Sequence, residues 1–263
     1  MRRSTLLALF FSLWTLIAAP LGFANGVFES VRGDVKAAVG AAAPAGVAAN
    51  QRFTPGTTVV TGPGAQAIMR FDDGHAVVLS ENTEFRVTQF SFDRAKPQDD
   101  HIALQIVKGA LRSVSGAIAS RSRQAFALIA PQATIGIRGT DFMIALVNPA
   151  YLQVLQGTIS ASNVAGTAAF SAGATAAVES ATVLAGAIPA SALPASVATT
   201  FSNLGSVAVS AVGAGAGAAT GAATGGITAG MVAAGVAVIG VAAAASTSSD
   251  HGEQMTTTTV TTH

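Results

Sequence analysis

The residues best suited to chemistry lie in a short polar group, 138–141, that interrupts an alternating apolar stretch. A guanidinium presented at a bend can bind an anion, which would make Arg138 a binding residue. Alternatively, Arg138 and Asp141 hold a β-bulge together through backbone hydrogen bonds and a salt bridge. Gly139 would then supply an unusual backbone angle, and Thr140 would cap the turn. The structural interpretation is favoured, and it predicts that Arg138→Met lowers thermal stability.

Other groups that could carry chemistry are two histidines and an aspartate pair. Neither His75 nor His101 has a second ligand at helical metal-binding spacing, so a zinc site is not expected and both are predicted to lie on the surface. Asp72 and Asp73 would point to opposite faces of a strand and would not converge on one substrate bond. With Gly74, they are predicted to form a hairpin turn.

Sequence motifs of catalysis are missing. No serine stands in a Gly-x-Ser-x-Gly motif, and there is no Gly-x-x-x-x-Gly-Lys phosphate loop. The chain has no cysteine, which excludes disulfides and thiolate metal sites, and a formal net charge of +1, which gives no support for nucleic-acid binding. We therefore expect a protein that is not an enzyme and that uses no cofactor or metal.

The elements that would position these residues are predicted to be strands. Residues 65–71, 77–79, 85–90, 102–106 and 126–130 alternate apolar with other residues, and 93–100 forms a charged, proline-containing loop expected to be solvated. Apolar alternation on both sides of the polar group, over 133–146, predicts two half-buried strand segments joined by a bend or bulge. Frequent turn signals favour an all-β domain, an antiparallel jelly-roll or sandwich or a short β-helix-like fold.

A weak internal repeat supports bends within the strands. Segments 31–36, 107–112 and 155–160 share the order apolar, polar, glycine, any, apolar, polar. A glycine inside a strand often marks a bulge or a close approach of another backbone. The same pattern also recurs by chance in β proteins, so both explanations stay open.

Composition divides the chain into five parts. Residues 1–24 have the charged start and apolar run of a signal peptide, with Gly22 and Ala24 suited to a cleavage site, although an uncleaved membrane anchor is the alternative. Residues 25–180 have the mixture of a folded β domain. Residues 181–225 are predicted to be a low-complexity linker rich in Ala, Gly and Ser, and 247–263 a polar disordered terminus.

Residues 226–246 form an apolar segment rich in alanine and glycine. It is long enough for a transmembrane helix, and Gly226 and Gly230 would permit close helix packing. Weak hydrophobicity and the lack of a basic flank favour an apolar tail or an oligomerisation helix instead. Membrane association and homo-oligomer formation both remain open.

The order Arg-Gly-Thr-Asp-Phe at 138–142, between two apolar strands, resembles the signature of the FecR-like periplasmic domain. Segments 31–35, 56–62, 69–79, 151–159 and 171–173 resemble the family in the same order, so that the likeness covers about residues 27–180. The signature residues are interpreted as structural, and they are Asp73, Gly74, Arg138, Gly139, Thr140, Asp141, Phe142 and Gly157.

The resemblance implies a periplasmic domain that passes a signal from an outer-membrane receptor to an anti-sigma segment. Because only a signal peptide precedes the domain, this chain is expected to lack its own sigma-binding segment. Two functions follow from the sequence. One is a non-enzymatic binding module in the periplasm or cell envelope, whose partner is an envelope protein or polymer. The alternative is a component of FecR-type, iron-uptake-like sigma-factor signalling that works through a separate membrane partner.

Overall fold

Strands make up most of this computed structural model, which describes residues 26–122 and 124–209. The predicted signal peptide and the segments 226–246 and 247–263 lie outside the described residues. The all-β prediction is confirmed, because the strands join in one 15-stranded mixed sheet. They are β1 (Gly26–Arg32), β2 (Val35–Val39), β3 (Ala45–Gly46), β4 (Arg52–Phe53), β5 (Thr57–Thr61), β6 (Gln66–Phe71), β7 (Ala76–Leu79), β8 (Glu84–Ser91), β9 (His101–Val114), β10 (Phe126–Ile129), β11 (Thr134–Leu146), β12 (Ala150–Asn163), β13 (Gly166–Ser171), β14 (Thr175–Val178) and β15 (Gly186–Ile188).

Within the described residues, helical structure is limited to short elements. The α-helices are α1 (Ala117–Arg121) and α2 (Ala195–Gly205), and single 3₁₀ turns occupy Pro97–Asp99 and Ala190–Ala192. No helix within residues 26–122 and 124–209 has the length and apolar character needed to cross a membrane.

The sheet order is β15-β14-β12-β11-β10-β9-β7-β6-β1-β4, and a branch through β8, β5, β2 and β3 leaves from β9. Neighbouring strands are antiparallel except β9 and β10, which pair in parallel. The parallel pair departs from the antiparallel prediction, and helix α1 lies in the connection between these two strands.

The long strands change partners along their length. The first half of β9 pairs with β8, and the second half, beginning at Gly109, pairs with β11. The glycines of the weak repeat, Gly33, Gly109 and Gly157, have φ values of 73°, 88° and 78°. Positive φ strains other L residues, so glycine is favoured where these strands start or bend.

Two apolar clusters surround the middle of the sheet. The larger lies on the inner face and contains Phe28, Phe71, Phe85 and Phe142, each no more than 2% exposed. The smaller lies between the other face and α2. There Val197, Phe201 and Leu204, which follow one another at helical spacing, pack with sheet residues such as Met143 and Tyr151.

The structure departs from the predicted linker at 181–225. Residues 186–188 form β15, and 195–205 form α2, so the folded part of the chain continues well past residue 180. Large side chains are scarce in this region as a whole. The amphipathic spacing of the apolar residues within 195–205 was therefore not recognised from the sequence. That pattern becomes a stable helix only because an apolar sheet face is available to cover it.

The loop 93–100 was predicted to be solvated, but one of its residues is buried. Its other residues are exposed, but Asp100 is only 5% exposed. The Asp100 carboxylate accepts hydrogen bonds from the Asp93 backbone N–H at 2.9 Å and from Arg121 Nη1 at 3.1 Å. Paired in this way, the buried carboxylate closes the loop against α1.

Candidate functional site

The polar group at 138–141 forms a bulge in β11. The register of β11 against β12 shifts between Arg138 and Asp141, and Gly139 has a φ of 57°. Gly157 on β12 lies against the bulge, and a Cβ atom there would meet the Gly139 carbonyl oxygen and Thr140 Cγ2. Two glycines therefore allow the two backbones to come together at this point.

Thr140 joins the bulge to the end of β9. Its backbone N–H donates to Ser115 Oγ at 2.8 Å, and its carbonyl accepts from the Ser115 N–H at 2.9 Å. The two hydroxyl oxygens lie 3.2 Å apart. Thr140 is buried, so its side chain is committed to this contact with Ser115.

Asp141 forms an ion pair with Arg112, so the predicted pair of Arg138 with Asp141 is wrong. Arg112 Nε and Nη2 donate to the two carboxylate oxygens at 2.8 and 2.6 Å. Asp141 faces Val114 across the β9–β11 pair and Arg112 faces Met143, which makes Arg112 the diagonal neighbour of Asp141. Arg138 lies on the far side of the bulge and is exposed.

Arg112 also binds the C-terminal end of α2. Its Nη1 donates to the carbonyl oxygens of Leu204 and Gly205, both at 3.2 Å, and of Val207 at 3.0 Å. The guanidinium therefore satisfies carbonyls that a helix end leaves unpaired. The hydrogen bond to Asp141 raises the pKa of Arg112, and burial opposes that rise. One side chain thus links β9, the β11 bulge and α2.

A second polar cluster surrounds the turn between β6 and β7. Asp73 is 5% exposed, and its carboxylate accepts hydrogen bonds from the N–H groups of His75 at 2.9 Å and Ile118 at 3.2 Å. Burial raises the pKa of Asp73, while the bonds from His75 and Ile118 lower it. Since Ile118 lies in the first turn of α1, Asp73 caps that helix from a distant part of the chain.

His75 is buried, contrary to its predicted surface position. It is 1% exposed, and its ring centroid lies 5.5 Å from that of Phe71 and 5.4 Å from that of Phe126. Burial, with a smaller contribution from the charge of Arg70, lowers the pKa of His75 to about 3. His75 Nε2 lies 3.2 Å from Ser113 Oγ, but both residues are 1% exposed, so this pair is closed to a substrate. His101, by contrast, is half-buried.

Residues 57–160 match the protein-family model described as "FecR protein". The chain contains a FecR domain. The matched range extends from β5 into β12 and includes the bulge, Arg112 and the Asp73 turn. Strands β1 to β4 and helix α2 lie outside it.

Two similar solved structures are crystal structures, at 1.65 Å and 2.50 Å resolution, of a Parabacteroides distasonis protein described as an anti-sigma factor. The first is 14% identical, with a TM-score of 0.40, and covers 50% of this chain and 58% of its own. The second is 14% identical, with a TM-score of 0.42, and covers 55% and 63%. This chain thus spans less than two thirds of either, and at TM-scores below 0.5 neither likeness assigns its function. No curated protein matches the sequence.

Sequence reasoning missed several residues that hold the FecR domain together. Arg112, Ser113 and Ser115 carry no local motif, and their partners lie 25 to 95 residues away along the chain. The strand alternation of β9 could at most have placed Arg112 and Val114 on one face. In the part of the chain that the structure describes, no group of three His, Asp or Glu side chains is arranged to hold a metal ion.

Proposed function

We propose that this chain is an exported, non-enzymatic binding module of the cell envelope, built on a FecR domain. The observation that carries the proposal is the commitment of three signature side chains, those of Asp73, Thr140 and Asp141, to the domain's own interior. Thr140 bonds Ser115, Asp141 bonds Arg112, and Asp73 caps α1. Because these polar groups are already paired, they support the fold, and contacts with a partner fall to the outer surfaces.

Surface features near the end of the β12–β13 hairpin support a role in binding. Val164 is 82% exposed, and Val183 and Leu184 are 46% and 47% exposed. The Val164 N–H donates to the Ala181 carbonyl at 3.3 Å, which brings the hairpin tip and the loop after β14 together. Exposed apolar side chains grouped in this way are typical of contact surfaces. The partner would be an envelope protein or polymer, with the segment 226–246 adding membrane association or self-association.

A second candidate is signalling between the envelope and the cytoplasm through a separate membrane partner. The FecR-family match over residues 57–160 favours it. So does the position of α2, which Arg112 ties to the domain at the start of the C-terminal region. In this candidate, a partner that binds the domain would change how firmly α2 is held.

The two candidates are separated by measuring the transcription of an adjacent receptor operon. It is measured in a deletion strain and in a strain with Arg112→Met. Signalling requires a change of transcription in both strains relative to the parent. Unchanged transcription in both, with the protein still present in the envelope, contradicts signalling and leaves the binding module.

Export and anchoring are tested by fractionating tagged full-length protein and a form that ends at residue 209. The proposal expects both in the envelope fractions, with the full-length protein enriched in the membrane. Recovery of the full-length protein from the cytoplasm contradicts export. Equal recovery of both forms in the soluble periplasm contradicts a membrane role for 226–246.

A further inference from the structure

The outer face of the β1–β6 pair and the C-terminal end of α2 enclose a groove with a volume of about 570 Å³. Its walls include Ser30, Arg32, Gln66, Ile68, Asn203 and Val207. We propose that this groove binds a carboxylate-bearing sugar segment of an envelope polysaccharide. The inference rests on the proposed binding function and names the class of ligand for it.

Strand alternation places these residues together. Arg32 pairs with Gln66 and Ser30 with Ile68 across the β1–β6 ladder, so the four side chains occupy one face. The alternate residue Ala67 is fully buried in the core on the other face. Helix α2 covers the neighbouring part of the sheet over β9 and β11. The groove therefore lies beside α2, where the helix no longer covers the outer face of the sheet.

Three polar side chains of the groove have no partners within residues 26–122 and 124–209, whereas the Ser206 hydroxyl donates to the Asn203 carbonyl at 2.7 Å. Arg32, Gln66 and Asn203 make no side-chain hydrogen bond or ion pair in this part of the chain. Arg70, farther along β6, is instead bound to Glu29 at 2.9 Å. One cation and two amides thus remain available to a ligand at the same groove.

The chemistry of these groups suits an acidic sugar. A guanidinium binds a carboxylate through two parallel hydrogen bonds, and amide groups both donate to and accept from hydroxyls. Ile68 and Val207, which are partly buried against the α2 cluster, offer an apolar strip to the C–H face of a ring. No aspartate or glutamate lines the groove in the described chain, so a carboxylate meets no like charge there. The volume lies in the range of small-molecule sites.

The helix end beside the groove does not repel an anion strongly. Arg112 already binds the carbonyls of Leu204, Gly205 and Val207, which would otherwise present partial negative charge. An acidic peptide is a weaker fit than a sugar. Peptides that add to a sheet bind an unpaired strand edge, whereas the groove floor is the face of a paired ladder and offers side chains only.

The test is calorimetric titration of the full chain with trigalacturonate, maltotriose and triglutamate. We expect trigalacturonate to bind more tightly than both others. Arg32→Gln should weaken its binding about tenfold or more, because a charge-assisted contact is lost. Asn203→Ala should weaken it to a smaller extent. Arg94→Gln removes the same charge from the exposed loop 93–100, and it should leave the affinity within about twofold.

Three outcomes would overturn the proposal. They are an absence of trigalacturonate binding at millimolar concentration, an equal loss of affinity in Arg32→Gln and Arg94→Gln, and triglutamate binding as tight as that of trigalacturonate, which would identify an acidic-peptide site. None of these outcomes affects the fractionation or transcription tests, so failure of the ligand assignment is distinguishable from failure of the envelope function.

Discussion

Replacement of Arg112 is expected to have the widest effect on the structure of this domain. It and Asp141 form a two-pronged ion pair with side chains only 12% and 16% exposed. Removal of one partner leaves the other charged and poorly solvated, which destabilises a protein far more than loss of an exposed pair. The residue also supports α2, so its effect extends from the bulge to the last helix of the described residues.

Replacement of Arg112 by methionine should lower the free energy of unfolding by about 3 kcal/mol. Asp141→Asn should have a comparable effect, and the double variant should lose less than the sum, because the two residues act through one interaction. Urea denaturation of the four proteins measures this coupling.

Arg138→Met is the matched control. Arg138 is exposed and makes no side-chain bond within the described residues, so its replacement should change stability by less than about 0.5 kcal/mol. A loss for Arg138→Met equal to that for Arg112→Met would restore the Arg138–Asp141 pairing expected from sequence.

His75 makes stability depend on pH. Its pKa is about 3 in the folded protein, against 6.5 for a solvated histidine. Below pH 6.5 the unfolded chain therefore binds a proton at His75 that the folded protein does not bind. Stability should therefore fall as the pH is lowered from 6.5 toward 3, by about 2 kcal/mol on reaching pH 5. The raised pKa of Asp73 acts in the opposite direction at the acidic end of this window.

Denaturation of the parent and of His75→Phe at pH 5 and pH 7 tests this dependence. The difference in the free energy of unfolding between pH 5 and pH 7 should be smaller in His75→Phe than in the parent. Ser113→Ala should retain it, because it removes only the hydroxyl beside the ring and leaves the ring buried. A His75→Phe variant with the full pH difference of the parent would assign the effect to other groups.

At the scale of elements, the bulge of β11 depends on the close approach of two strands. Gly157 has a φ of 78°, and a Cβ atom added to it would collide with the backbone of Gly139 and the side chain of Thr140. Gly139 has a φ of 57°, but a Cβ atom added there would meet no other atom within 4 Å. The first site is restricted by both conformation and packing, and the second by conformation alone.

Gly157→Ala should therefore cost about 3 kcal/mol of stability, the sum of left-handed strain and overpacking, while Gly139→Ala should cost about 1 kcal/mol. Chemical denaturation midpoints of the two variants give the comparison. Equal losses would mean that β12 moves away from the bulge without cost and that the close approach is not required.

At the scale of the whole molecule, the described residues form a sheet with an inner core and an outer face that α2 covers in part. Phe201, 2% exposed, is the largest side chain that α2 contributes to this outer cluster. Loss of its ring would leave a cavity in the cluster that contains Met143 and Tyr151 and weaken the attachment of α2.

Phe201→Ala should lower the free energy of unfolding by about 3 kcal/mol. It should also make the region 195–209 more susceptible to proteolysis, since a weakened helix opens more often. Thr199→Ala, on the exposed side of α2, is the control and should have little effect on either measurement. A protease-resistant Phe201→Ala protein would indicate that Arg112 alone holds the helix.

Local pattern was enough to predict much of this fold. Alternation located β6, β9 and β11, and the Asp-Asp-Gly turn joins β6 to β7 with Gly74 at a φ of 86°. The Arg-Gly-Thr-Asp-Phe order pointed to the FecR domain that the family model matches. These features depend on residues close together in the chain, where periodicity and turn preferences act directly.

Partners and burial required the tertiary structure. Asp141 binds an arginine 29 residues away, and that arginine binds a helix end 92 residues farther along. His75 and the apolar face of α2 are buried because distant strands pack against them, and the local sequence does not specify which strands these are. The sequence by itself determined where strands and the family signature lie, since both are local properties. Only the folded sheet decided that the signature aspartate serves Arg112 and, through it, α2, because that choice depends on which strands become neighbours.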